Sequence, residues 1–174
     1  IKPAVSNMEF SLDNNVFANI KPNSTNIRIT LRTDSPEYSL FKNPRISIEL
    51  PEEVEKVDLK TPEIMYDNKV FNILSSDVAT NENGNKIINI QLQGEQTSYN
   101  QESLIKGVNI VVPIKISLIK KLENKTQNIK FTYSNDMTST IESKETEITL
   151  LNKIVNNYAI LSQENVNDEK TTDI

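Results

Sequence analysis

The carboxylates most open to a chemical reading lie in "ELPEEVEKV", residues 49–57, where Glu52, Glu53 and Glu55 follow Pro51. A glycoside-cleaving pair needs two carboxyl groups on facing elements, roughly 5–9 Å apart. Three acids in one loop do not supply that geometry. They are expected to be strand-edge charges, with Glu52 and Glu53 in solvent. The 174 residues include neither His nor Cys. That removes the commonest general base, the commonest metal ligand, the thiolate nucleophile and any disulfide. Serines and threonines are plentiful, but no motif nominates a Ser–Lys dyad.

Oxygen ligands for calcium are the next candidate. "TNENGNK" carries a glycine among asparagines. With Gly84 at the sixth position of a helix-loop-helix calcium loop, the first position is Ala79 and the twelfth Ile90. That loop needs Asp and Glu there, so the stretch reads as a hairpin turn. No metal and no cofactor is expected. Tyr38, Phe41, Tyr66, Phe71 and Tyr99 fall in or near loops and are expected mostly to anchor them. Tyr38 and Phe41 share the long loop "DSPEYSLFKN" and form a candidate ligand-contact pair. The triplets at Asn23 and Asn124 match glycosylation acceptors by chance.

Net charge is −5 and the pI about 4.9, which argues against nucleic-acid and anionic-lipid partners. No apolar run is long enough for a membrane helix, so no membrane insertion is expected. The chain starts at Ile1 without a signal peptide, as a piece of a longer protein would.

Strands must position whatever site exists. Period-two alternation recurs at Met8–Phe10–Leu12, Ile27–Ile29–Leu31, Ile46–Ile48–Leu50, Val57–Leu59, Ile88–Ile90–Leu92, Ile129–Phe131–Tyr133 and Ile148–Leu150. A longer run, "GVNIVVPIKISL", keeps Val108 to Leu118 on one parity with Pro113 on the other. Proline donates nothing to a ladder, so Pro113 predicts an edge, a bulge or a bend between sheets. Asn83-Gly84 predicts a hairpin joining residues 70–78 to 86–93, both turn residues tolerating positive φ. Single helical turns are candidates at "NQESLIKG" and after Pro51, and residues 154–161 fit a short helix or a strand. From about residue 163 the chain reads as linker or tail. The pattern predicts an all-β fold: a two-sheet antiparallel β-sandwich of immunoglobulin-like type with about nine strands. Its expected span is residues 1–152, with 153–174 a linker or the start of another module.

"IKPNSTNIRITLRTDSPEYSLFKNPRISIELPEEVEKVDL" and "GVNIVVPIKISL" resemble repeat modules of surface proteins from Gram-positive, low-GC bacteria, over residues 5–150. The resemblance implies an extracellular, cell-wall-associated Ig-like module of an adhesin. It also implies that an internal Lys–Asn or Lys–Asp isopeptide bond is conceivable. Such a bond needs a buried neutral lysine and a protonated acid beside it. Lys115, which shares a parity with Val111, Pro113 and Ile119, is the candidate if that face is partly buried; the alternative is that it faces solvent from the polar side of its strand.

The expected function is a non-catalytic structural, spacer or adhesive module, not an enzyme. The alternatives are a domain recognising a host protein or glycan, and an accessory domain of a secreted enzyme. Expected partners are neighbouring modules of the same chain, with a host protein or glycan in the adhesive case.

Overall fold

The computed structural model describes residues 7–32, 41–65, 71–96 and 107–153. They form thirteen strands: β1 (Asn7–Leu12), β2 (Val16–Ala18), β3 (Asn23–Arg32), β4 (Phe41–Lys42), β5 (Arg45–Glu49), β6 (Val54–Leu59), β7 (Glu63–Ile64), β8 (Asn72–Thr80), β9 (Lys86–Gln93), β10 (Glu95–Gln96), β11 (Val108–Leu118), β12 (Lys125–Asn135) and β13 (Thr138–Leu151). The expected count of nine is corrected by β2, β4, β7 and β10. Each is two or three residues long, too short to display a period. The candidate helical turn after Pro51 does not form: Val54 N–H bonds Pro51 O at 3.0 Å in a tight turn, and β6 starts there. Tyr38, Tyr66, Tyr99, "NQESLIK" of the candidate turn and residues 154–174 lie outside the described residues.

One sheet runs β1-β3-β11-β6, with β7 also on β11. The other runs β2-β13-β12-β5-β9-β8, and β10-β4 forms a two-stranded ladder. The ladders are antiparallel except one. β2 pairs parallel with the end of β13, Phe17 opposite Leu150, within an otherwise antiparallel sandwich. The reason is local: after β1 the chain leaves its sheet at residues 13–15 and crosses to the other without reversing. The alternating faces close on each other as expected. Ile27, Ile29, Leu31, Ile46, Ile48, Ile88, Ile90, Ile110, Ile129 and Phe131 form one buried core. At about 25 cal/mol per Å2, this apolar burial is the main stabilising contribution.

Pro113 does not bend β11 out of its sheet. β11 keeps β3 along one side, Pro113 opposite Asn26. On the other side β6 ends at Leu59 and β7 begins at Glu63. Lys60 N–H bonds Pro113 O at 3.0 Å across that break. A strand residue directs its N–H and C=O to the same side, so the missing donor falls where no ladder partner waits.

The Asn83-Gly84 hairpin joins β8 to β9 as expected. Its turn differs: among the described residues Gly84 takes positive φ (84°) and Asn83 does not. Gly84 N–H bonds Asn81 O at 3.0 Å, and Asn81 N–H bonds Asn85 O at 2.9 Å. This is a four-residue turn whose last residue is the left-handed glycine, a longer loop than the two-residue form.

Candidate functional site

The acids after Pro51 separate on folding. Glu52 and Glu55 are exposed, whereas Glu53 is buried at 2 % exposure, which corrects its placement in solvent. The turn directs Glu53 back under the strand ends as the chain passes from β5 in one sheet to β6 in the other. Its Oε2 accepts Lys125 Nζ at 2.7 Å, and Gln127 Nε2 donates to both carboxylate oxygens at 3.1 and 3.2 Å. Its own carbonyl accepts the Ile119 N–H at 3.0 Å. Glu53 thus joins the sheet crossover, the end of β11 and the start of β12.

Burial pushes the Glu53 carboxyl up, but hydrogen bonds from Lys125, its own backbone and Gln127 outweigh it. They hold the group below its ordinary value. The bond to Glu53 raises Lys125, against a smaller opposing effect of burial. Both groups are therefore held charged. Amide formation needs the reverse, a neutral amine and a protonated acid. The cluster is an electrostatic clasp.

Lys115 is exposed on the outer face of β11, flanked in register by Ser24 and Asp58. Of the two placements its parity left open, partial burial and the polar side of the strand, it takes the second, with Asn109, Val111 and Pro113. Phe41 lies fully buried in the core, its ring 4.7 Å from that of Phe71. It anchors its loop to the sandwich and presents no aromatic surface. Its proposed companion Tyr38 is outside the described residues.

The outer face of β1, β3 and β11 carries a shallow polar groove lined by Glu9, Ser11, Arg28, Thr30, Met65 and Asn109. Thr30 Oγ1 donates to Asn109 Oδ1 at 2.9 Å. Arg28 grips Asp13 through two bonds of 2.7 and 2.9 Å. Those bonds, with one from Asn26, lower the Asp13 carboxyl to about 2. The groove offers ordered donors and acceptors. Among the described residues no group of three or more Asp or Glu side chains gathers to hold a metal ion.

Asparagines organise one end of the sandwich, and sequence reasoning missed them. Asn19, 3 % exposed, donates to Lys120 O at 2.8 Å and Asn152 Oδ1 at 3.2 Å, and accepts the Lys153 N–H at 2.9 Å. Asn124 accepts the Asn152 N–H at 2.6 Å. Asn23 donates to Ala18 O at 2.8 Å and Ile116 O at 3.2 Å. Two of these three sit in the apparent glycosylation triplets, where the Asn23 amide donates to backbone carbonyls and the Asn124 carbonyl accepts a backbone N–H. The abundance of Asn was the only signal, and it does not say which residues lie inside.

Opposite ends of the sandwich receive and release the described chain. Asn7 pairs with Arg32, the last residue of β3, whereas Lys153 is held by Asn19 near Asn23, the first. The ten residues of β3 separate the two ends by roughly 33 Å.

No protein-family model matches the chain, and no curated protein matches it by sequence. Solved structures do match in fold. The N-terminal domain of the Streptococcus gordonii adhesin Sgo0707 superposes with a TM-score of 0.54 at 9% identity, over 86% of this chain and 34% of that one. The C-terminal fragment of the Streptococcus agalactiae major pilin GBS80 gives 0.48 at 10% identity, over 83% and 56%. The Corynebacterium diphtheriae major pilin SpaA gives 0.47 at 15% identity, over 78% and 33%. The chain thus spans between a third and just over half the length of these structures. Its fold is an Ig-like β-sandwich, shared with the Sgo0707 adhesin domain.

Proposed function

We propose that this domain is a non-catalytic structural module of a bacterial extracellular surface protein, which spaces and orients what is attached at its two ends. The observation that carries this is the placement of Asn7 and Lys153 at opposite ends of the sandwich. A module joined through those ends extends a chain instead of folding it back. The asparagine network around buried Asn19 holds the chain as far as Lys153. The outer face of β1, β3 and β11, with Glu9, Ser11, Arg28, Thr30 and Asn109 among its residues, suits a domain standing in solvent beside its neighbours. Small-angle scattering on a tandem of two copies tests the reading. The expected maximum dimension is about twice that of one copy, since each adds a strand length end to end. A compact side-by-side pair overturns it.

The groove around Thr30 and Asn109 favours a second reading, recognition of a host protein or glycan through hydrogen bonds. Immobilised matrix proteins and glycans test it. Capture that Asn109→Ala abolishes supports the adhesive reading. Capture that survives this change places recognition elsewhere.

A further inference from the structure

We propose that the parallel β2–β13 pair, with the asparagines that hold the chain just beyond it, is a tension clamp that resists extension of the domain along its long axis. The proposal rests on the spacer reading for the pull at the two ends. The clamp itself is a property of the fold.

The geometry begins with direction. Val16, Phe17 and Ala18 run alongside Thr149, Leu150 and Leu151 in the same sense. The chain on the N-terminal side reaches this pair at Val16, through β1. The chain on the C-terminal side leaves it at Leu151. Pulling the two sides apart therefore drags the strands past each other from opposite ends. Every hydrogen bond crossing the pair is then loaded together. An antiparallel pair loaded at one end opens bond by bond, and each rupture is a separate small barrier.

Three residues of β2 are too few to withstand much load alone, and the structure lengthens the pair with other bonds. Before it, Thr149 N–H bonds Asn15 O at 2.9 Å. After it, Asn19 N–H bonds Leu151 O at 3.2 Å. The Asn19 side chain continues the row by accepting Lys153 N–H at 2.9 Å, and Asn124 takes Asn152 N–H at 2.6 Å. Asn19 is itself anchored on Lys120 O, in the connection after β11. Load entering at Lys153 is thus shared with the β11–β12 connection before it reaches the strand. Phe17, fully buried opposite Leu150, keeps β2 from lifting off the core. The buried amide of Asn19 suits this task because water cannot easily replace a strained bond there.

Single-molecule extension of the full chain at constant force, held at its two ends, tests the clamp. Asn19→Ala and Asn124→Ala are each expected to raise the unfolding rate under load by about fivefold or more, for the loss of three side-chain hydrogen bonds and one respectively. Asn81→Ala serves as the control. It removes bonds to Glu49 and within the β8–β9 turn, far from the clamp. Its equilibrium loss is matched by urea unfolding, and its effect under load is expected to stay within about twofold. Asn124 is exposed, so its variant keeps the test open should Asn19→Ala fail to fold. The clamp is overturned if neither asparagine variant unfolds faster under load than the control. That outcome leaves the scattering result on the tandem untouched, so failure of the clamp and failure of the spacer reading are separate findings.

Discussion

Glu53 and Lys125 meet at 2.7 Å where the chain changes sheets, the carboxylate side chain 3% exposed and the lysine 40%. The buried partner cannot be solvated if the exposed one is lost, so the pair is unequal in what each substitution does.

Glu53→Gln is expected to destabilise the domain by about 2 kcal/mol at neutral pH, because a charged buried network becomes a neutral one. The pH dependence follows from the direction of the shift. The Glu53 carboxyl lies below its unfolded value of about 4.3. Its contribution is therefore complete above that value and is lost as pH falls through the folded one. Lys125 is raised, so its contribution is complete below the unfolded lysine value and is lost as pH rises through the folded one. Urea midpoints across pH check both limbs. The acid loss should shrink in Glu53→Gln but persist in part, since Asp13 and Asp136 are also lowered. An unchanged acid limb would show that Glu53 does not govern it.

Lys115 and Lys125 are expected to remain free amines. The first is solvent-exposed and the second is held charged by Glu53. Peptide mapping by mass spectrometry decides this. A cross-linked peptide containing either lysine would contradict the assignment.

Phe131 and Phe10 bridge the sheets, their rings stacked at 3.7 Å and 13°. Phe131 is fully buried and Phe10 only partly. Phe131→Ala should cost about 3–5 kcal/mol, and Phe10→Ala clearly less. Equal losses in thermal unfolding would mean that the stack itself dominates over burial.

Gly84→Ala should cost about 1 kcal/mol from backbone conformation alone. Nothing lies within 4 Å of the added methyl group, while φ is +84°. A larger loss would point to a steric origin, which the surroundings do not supply.

Along residues 141–148 the outer edge of β13 has no ladder partner among the described residues. It carries Glu142, Lys144, Glu145 and Glu147. Such charges discourage edge-to-edge pairing. Replacing Glu142 and Lys144 together by Val is expected to produce concentration-dependent association, read by light scattering after gel filtration. A variant that stays monomeric would assign the protection to another feature.

The alternation of Ile46–Ile48–Leu50 or Ile88–Ile90–Leu92 was legible because side-chain direction in a strand has a period of two residues. Each run declares its own buried face without a partner. β2 and β7 were not legible, since three or two residues contain no period. Pro113 was read as a bend, and no local feature says that β6 stops and β7 starts beside it.

The sequence by itself therefore determined the strands, their apolar faces, the β8–β9 hairpin and the lack of His and Cys chemistry. Only the tertiary structure decided that Glu53 is buried while Glu52 and Glu55 are not, that Lys115 faces water, and that Asn19 holds Lys153. The physical reason is distance along the chain. A face is set by neighbours two residues away, but Glu53 meets a lysine 72 positions on, and Asn19 an amide 134 positions on. A polar side chain can be buried only where such partners arrive, and the packing of two sheets brings them there.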